Sequence, residues 1–430
     1  MSAERRKVAI VGGGFGGLAA AQALSKADVD ITLVDRTNHH LFQPLLYQLA
    51  SGMLSMGECA APIRGMLRKQ SNVSVSMAEV TEVDAERREL TLDRGEKVGY
   101  DSLIVACGAD TSYFGHDEWQ EPSFALKTLA DAVGLRDQVL SSFEEAERAT
   151  DDEARRRFLT IVVIGGGPTG VEVAGQLAVL ARHHLSHQFT GFDPSDIRVV
   201  LLDAGERVLT AFSPKLSAKA GRELKSLGVD VREGARATAI DATGVSYDHG
   251  GESRRIDAAT VIWAAGVHAA PFAGALAQAT GAEHDRGGRL QVLADCTLPR
   301  HPEISVIGDA ASHAGPDGKP LPGLATVAIQ QARHVARAIA SGGPGATEAF
   351  RYFDKGALAV VGRGRAICAV RGLELSGPIA FATYLGVHLF YLGGVPGRRV
   401  AVMSAWASTA FGREQSRVIE RELPRAGVKV

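Results

Sequence analysis

Apolar positions along this chain form one pattern that occurs twice. Residues 8–11 and 161–164 are short, β-branched-rich apolar runs, the mark of strands buried on both faces of a parallel sheet. Each run ends on three glycines spaced G-x-G-x-x-G: Gly12, Gly14 and Gly17, then Gly165, Gly167 and Gly170. A helix-forming stretch follows each, "LAAAQAL" and "VEVAGQL". A second apolar run then closes on an acid, "VDITLVD" at Asp35 and "IRVVLLD" at Asp203. Asp35 falls at the spacing of roughly 20 residues expected of such a unit, whereas "HLSHQFTGFDPSD" lengthens the path to Asp203. Each half then offers one more buried run ending in small residues: "YDSLIVACGAD" (100–110) and "ATVIWAAGV" (259–267). A further run, "HPEISVIGDAA" (301–311), closes at Gly308 and Asp309 and precedes a predicted helix over 324–340. Two segments read differently. "RTNHHLFQPLLYQLASG" (36–52) mixes aromatic, proline and polar residues as an irregular segment near a ligand, and 144–157 reads as one solvated, charged helix.

The glycine spacing has a chemical reason. The first glycine permits a tight turn, the second lets backbone approach a pyrophosphate, and the third lets helix pack close on strand. Phosphates then face the free N–H groups and positive end of the helix, and the acid holds a ribose hydroxyl. Two such devices imply two dinucleotides, and the economical pair is tightly held FAD with exchanging NAD(P)H. At Asp309 a carboxylate suits ribityl hydroxyls, and the helix start beyond it suits the pyrimidine edge of a flavin. Asp203 favours NADH over NADPH, because an acid repels a 2′-phosphate; Arg207, nearby in sequence, is the residue that would soften the preference.

Composition narrows the field. A chain of 430 residues suits two or three domains, and 45% hydrophobic residues supply their cores. Net charge is −2, which argues against a nucleic-acid partner. The four cysteines, Cys59, Cys107, Cys296 and Cys368, are scattered without a CxxC, so neither a dithiol centre, a zinc or other metal site, nor a disulfide framework is expected. A reducing cytosolic setting follows, and "MSAERRKVAI" runs into the first strand without room for a signal peptide.

With "GGGFGG", "GGGPTGVE", "LIVACGA", "TVIWAAGV" and "VIGDAA" in place, the chain resembles the two-dinucleotide-domain flavoprotein disulfide reductase superfamily. Within it, "HHLFQPLLYQLASG", "GPTGVEVAGQLA", "AIQQARHVA", "YFDKGALAVVGR" and "VHLFYLGG" resemble type II NADH dehydrogenase, over nearly the whole length. The resemblance implies an α/β fold of two Rossmann-like dinucleotide-binding domains: an FAD domain split in sequence (1–120 and 285–345), an inserted NAD(P)H domain (121–284), and a C-terminal helical region (346–430) for membrane association and dimerisation. It implies hydride transfer from NADH to FAD, then two electrons to a menaquinone- or ubiquinone-type acceptor, without proton pumping. FAD is expected along Gly12, Gly14, Phe15, Gly17, Asp35, Arg36, Gly108, Asp309 and Ala325; NADH along Gly165, Gly167, Thr169, Gly170, Asp203 and Gly266. Glu172, an acid expected in the first turn of the second glycine-motif helix, is placed by resemblance beside nicotinamide and flavin, where it would orient the donor or relay a proton. The family's AQxAxQ motif at the quinone end reads here Ala325-Thr326-Val327-Ala328-Ile329-Gln330: Gln330 is kept and Thr326 replaces the first glutamine. That departure leaves the acceptor open.

Residues 376–395 carry no formal charge and have about the length of a bilayer span, but include Gly, Thr, Tyr and His388. Arginines 398, 399 and 413 flank the next apolar stretch, and residues 398–430 carry a net +4, suiting helices lying on an anionic membrane surface. The expectation is a peripheral homodimer on the cytoplasmic face of the cell membrane. Rival readings are a soluble NAD(P)H-dependent flavoprotein reducing a small quinoid or aromatic metabolite, and a non-catalytic NADH sensor. A sulfide:quinone oxidoreductase is disfavoured, because it needs a cysteine pair at the flavin.

Overall fold

The computed structural model describes residues 5–183, 188–343, 348–393, 397–410 and 419. They fall into two compact units. The first holds residues up to 41, 60–110 and 267–354; the second holds 42–59, 111–266 and 355 onward.

The first unit is built on a six-stranded sheet in the order Thr297–Leu298, His301–Val306, Ser102–Val105, Arg6–Val11, Val29–Asp35, Val73–Met77. All neighbours run parallel except the Thr297–Leu298 edge. Val8 to Val11 lie between Ile31–Val34 and Ser102–Val105, and alternate residues enter two cores, Val8 and Ile10 one and Ala9 and Val11 the other, so both faces of this run are covered, as its uninterrupted apolar character requires. Helices Phe15–Ala23 and Ala325–Ala340 pack on each other over one face, joined in a cluster with Ile10, Leu18, Ile31, Leu33 and Val335.

The second unit repeats the plan with a five-stranded, wholly parallel sheet: Phe124–Ala125, Thr260–Trp263, Thr160–Ile164, Arg198–Asp203, Val229–Glu233. In both sheets the strand feeding the glycine turn sits between the strand ending in the acid and the strand ending in small residues. The doubled sequence pattern is therefore a doubled topology, in an α/β fold.

The second unit also carries an antiparallel sheet of Ala357–Gly362, Arg365–Val370 and Leu373–Ser376. Helix Pro168–His183 lies so close to it that a Cβ at Gly175 would come within 1.8 Å of the Val361 carbonyl oxygen. Helix Pro378–Tyr391 buries Ala380 and Tyr384 against Val360, Ala366 and Cys368. Its 14 residues span about 21 Å, and no helix among the described residues is long and apolar enough to cross a membrane.

Three expectations are corrected. Segment 144–157 is not one helix: Leu129–Arg148 ends, and Asp151 starts a new helix by accepting the Ala154 N–H at 2.7 Å. Segment 36–52 is not irregular: it holds strand His39–Leu41, paired with Ala60–Pro62, and two turns of helix over Gln43–Leu45 and Leu46–Ala50, where Pro44 fits the first turn. Glu172 sits in the second turn of its helix, which begins at Pro168 and has no acid in its first turn. The basic tail beyond 410, Ile419 apart, lies outside the described residues.

Candidate functional site

In the first unit the glycines divide by cause. A Cβ on Gly12 (φ +100°) would meet the Ala106 carbonyl oxygen at 2.3 Å, and one on Gly17 would meet the Gly12 oxygen at 1.8 Å. The protein's own packing thus demands both. A Cβ on Gly14 would meet nothing within 4 Å. That opening faces a helix start with no side-chain cap and no acid in its first turn, which suits a pyrophosphate. Asp35 lies across the turn: Oδ2 accepts the Gly13 N–H at 2.6 Å, and Oδ1 accepts the Thr37 N–H and hydroxyl, each at 2.7 Å. The carboxylate is held rigidly and retains lone-pair capacity for ribose. Arg36 reaches Asp110 at 3.0 Å, and Phe15 meets the His40 ring edge-on at 5.1 Å. Gly108 has φ +74° and open space around a would-be Cβ.

Asp309 occupies the turn Gly308–Ala310 beyond strand His301–Val306. The Gly308 N–H donates to Gln331 Oε1 at 2.8 Å, tying this turn to helix Ala325–Ala340. That helix starts at Ala325 with no side-chain cap and no acid in its first turn, so free N–H groups lie at its end. These features fit a flavin dinucleotide.

The second unit repeats the cradle. A Cβ on Gly165 (φ +111°) would meet the Ala264 carbonyl at 2.8 Å, one on Gly170 the Gly165 oxygen at 1.8 Å, and one on Gly167 nothing within 4 Å. Thr169 is the second residue of the helix that follows. The Asp203 carboxylate leans on the turn, 2.5 Å from where a Gly166 Cβ would stand. Unlike Asp35, it accepts no hydrogen bond among the described residues. Arg207 donates to the carbonyls of Phe212 (2.9 Å) and Thr210 (3.3 Å), which spends its guanidinium on the loop rather than on a 2′-phosphate. Gly266 (φ +87°) leaves room for the Phe114 ring, which a Cβ would strike at 2.3 Å.

Glu172 projects from helix Pro168–His183 toward strand Ala357–Gly362, where Oε1 accepts the Val360 N–H at 3.3 Å. The residue is partly buried, and desolvation pushes its carboxyl up from 4.5 to about 8, against the pull of that bond. Near pH 7 it holds its proton. Burial raises the phenols of two buried tyrosines, Tyr47 and Tyr384, far above their ordinary range, and a Glu172 carboxylate adds to that rise only where the carboxyl is ionised. Their hydroxyls lie 3.1 Å apart, and Gln48 Nε2 donates to Tyr47 at 2.9 Å. His388 stacks on Tyr384 with ring centroids 3.7 Å apart, and burial lowers its imidazole to about 4, so the ring is neutral. Sequence reasoning marked "FQPLLYQ" and "VHLFYLGG" as distinctive and noted His388 only as an interruption of an uncharged run, without singling out Tyr47, Gln48 or Tyr384. Their signal was a concentration of polar aromatic groups inside otherwise apolar runs.

Thr326 and Gln330 belong to the first unit and act on one segment there. Gln330 grips the Phe353 backbone twice, Nε2 to the carbonyl and Oε1 from the N–H, both at 3.0 Å. The Thr326 hydroxyl meets the Tyr352 hydroxyl at 3.1 Å. Both side chains position residues 352–353. The four cysteines are free, and burial lifts the Cys59 and Cys107 thiols to about 12 and Cys296 higher still, so none presents a thiolate. Among the described residues no cluster of His, Cys, Asp and Glu is arranged to hold a metal ion.

Two dinucleotide cradles in one chain, each with its acid and its open glycine, define a flavin- and pyridine-nucleotide-dependent oxidoreductase. Residues 6–332 match the pyridine nucleotide-disulphide oxidoreductase family. The type II NADH:quinone oxidoreductase Ndh of Mycobacterium tuberculosis is 45% identical over 94% of this chain and 88% of its own length. That of Staphylococcus haemolyticus is 29% identical over 88% of this chain and 92% of its own. Among solved structures, NDH2 of Plasmodium falciparum in complex with NADH superposes with a TM-score of 0.87 at 20% identity, covering 96% of this chain and all of that one. The chain belongs to the pyridine nucleotide-disulphide oxidoreductase family and, within it, to the type II NADH:quinone oxidoreductases.

Proposed function

We propose that this protein is an FAD-dependent NADH:quinone oxidoreductase in which the first unit holds FAD and the second holds NADH. NADH:quinone oxidoreduction is the activity of the family it belongs to. The observation that carries the coenzyme reading is the pair of open glycines, Gly14 and Gly167, each facing an uncrowded turn that the protein's own packing does not explain. When bound, the coenzymes supply the redox chemistry: hydride from nicotinamide to flavin, and two electrons onward to quinone.

The residues do the rest. Gly12, Gly14, Phe15 and Gly17 let the flavin dinucleotide's phosphates reach the helix start. Asp35 and Arg36 hold its adenosine end, Gly108 gives it room, and Asp309 with the Ala325 N–H holds the ribityl and pyrimidine end. Gly165, Gly167, Thr169 and Gly170 cradle NADH, Asp203 takes its ribose, and Gly266, with the Phe114 ring packed on it, lines that site. Asp203 and the engaged Arg207 select NADH over NADPH. Glu172, protonated near neutral pH, is a proton source for quinone reduction, which consumes two protons. Thr326 and Gln330 set the position of Tyr352 and Phe353 at the acceptor end.

We place the protein as a peripheral homodimer on the cytoplasmic face of the cell membrane. Exposed Ile379, Phe390 and Val400 on the two C-terminal helices support membrane attachment, at 67%, 73% and 62% of full exposure. Steady-state NADH oxidation with menaquinone, ubiquinone and a short-chain quinone side by side tests the acceptor. Turnover with NADH and any of these supports the reading; turnover only with a non-quinoid aromatic would overturn it.

A further inference from the structure

Helix Ala325–Ala340 borders a cavity of about 300 Å3 that none of the cradle glycines or acids lines. Arg333, His334 and Arg337 line it from the helix, and Glu348, Phe350 and Arg351 from the segment beyond, all within the first unit. Arg333 and Arg337 are one helical turn apart, so their like charges stand on the same face and repel. Arg351 adds a third positive charge. Among the described residues none of these three guanidinium groups has an ion pair or a side-chain hydrogen bond. Glu348, the carboxylate in the lining, pairs with none of them, which leaves three positive charges against one negative. His334 is 9% exposed, and its Nε2 atom is buried without a hydrogen-bond partner, a costly arrangement for a polar group. Burial first and the Arg337 charge second hold the imidazole below its ordinary 6.5, so near pH 7 it is neutral and can carry its proton on Nε2 as a donor. The wall opposite the helix is fixed. The Phe350 N–H donates to the Ala294 carbonyl at 2.7 Å, the His334 and His313 rings make T-shaped contacts with Phe350 at 5.6 and 5.4 Å, and Gln330 anchors the Phe353 backbone with both amide atoms.

We propose that this cavity is a phosphate-binding site, in which the Arg333, Arg337 and Arg351 guanidinium groups pair with phosphate oxygens and His334 Nε2–H donates to one of them. Three cations against one carboxylate call for an anion of more than one charge, which a phosphate monoester supplies in a single group. Guanidinium forks match phosphate oxygens bidentately. The volume stands at the low end of small-molecule sites, which suits a phosphorylated metabolite or a lipid phosphate headgroup rather than a further dinucleotide. A neutral quinone offers no charge for three cations to meet.

The probe is inorganic pyrophosphate, titrated calorimetrically into the holoenzyme. Saturating NAD+ keeps the second cradle filled, and about 0.15 M salt screens loose surface pairing. One pyrophosphate per chain is expected. Arg333→Gln with Arg337→Gln should weaken it about 100-fold, each charge-assisted contact being worth about tenfold. Both arginines are exposed, so the double variant should keep its fold, which unchanged NADH-driven flavin bleaching verifies. His334→Phe, where it folds, should weaken binding about tenfold, a change that a loose cluster of surface charge would not feel. Flotation separates the two sources of phosphate. Extra capture by phosphatidic acid vesicles over phosphatidylglycerol vesicles, lost in the double variant, identifies a lipid headgroup; pyrophosphate binding without that extra capture identifies a soluble ligand. A wild type that binds no pyrophosphate, a double variant that binds it as tightly, or a folded His334→Phe of wild-type affinity would overturn the proposal.

Discussion

Replacing Glu172 by glutamine keeps the shape of the side chain and its acceptor for the Val360 N–H while removing the ionisation. Burial raises this carboxyl from 4.5 to about 8, so the folded protein binds the proton more tightly than the unfolded chain. The sign follows. The group costs no stability below about 4.5, costs progressively more as pH rises through the window to about 8, and reaches its full cost above it. At about 1.4 kcal/mol per pH unit the whole window is worth at most about 5 kcal/mol, reduced by the solvent the partly exposed residue still meets. Between about pH 6 and about pH 8 the wild type should lose up to about 3 kcal/mol relative to Glu172→Gln. Urea unfolding of both proteins along a pH series measures that difference directly. Infrared difference spectra should add a protonated-carboxyl band at neutral pH that is missing from the variant and disappears near pH 8. A stability difference that stays flat with pH, or a band that titrates near 4.5, would refute the burial argument.

Other substitutions probe the cradles separately. Gly14→Ala should fold with an unchanged apoprotein melting temperature yet purify with little flavin, because its Cβ meets only open space. Gly17→Ala should destabilise the apoprotein itself, its Cβ driven against the Gly12 oxygen; equal melting temperatures for the two would refute the distinction. Asp203→Ala should raise the NADH KM by about 10- to 100-fold, the worth of a charge-assisted hydrogen bond, at unchanged flavin content, and parallel loss of both would undo the assignment of the two units. Thr326→Gln should alter quinone turnover through Tyr352 while leaving NADH-driven flavin bleaching nearly intact in stopped flow. Phe390→Asp and Ile379→Glu should release the protein from anionic vesicles on flotation without lowering turnover of a water-soluble quinone, since both side chains point to solvent.

What the sequence disclosed follows the range of the forces involved. The glycine turns, their acids and the buried strands are largely local: a Cβ on Gly17 would strike the Gly12 oxygen within the same turn, and Asp35 accepts the Gly13 N–H, so the motif carried the geometry. Residues 42–59 were opaque because what orders them is distant. Tyr47 meets Tyr384, Cys59 donates to the Leu45 carbonyl, Arg398 reaches the Glu58 carbonyl, and Trp406 bonds Gln48 across 358 positions. No local propensity encodes those pairings. Glu172 was singled out as a first-turn acid and by resemblance; the helix starts at Pro168, which puts it in the second turn, and its perturbation comes from desolvation against strand Ala357–Gly362. The helix break at residues 149–151 went unseen because charge continued across it, while the Asp151 cap decided the outcome.

The most direct measurement is anaerobic stopped flow on the purified holoprotein, recording flavin absorbance on mixing with NADH and then with quinone. Bleaching by NADH on the timescale of turnover, followed by full recovery on adding quinone, is the expected result. A yellow protein that NADH leaves unbleached, or a colourless one that takes up no flavin when offered it, would contradict the pairing of the two cradles.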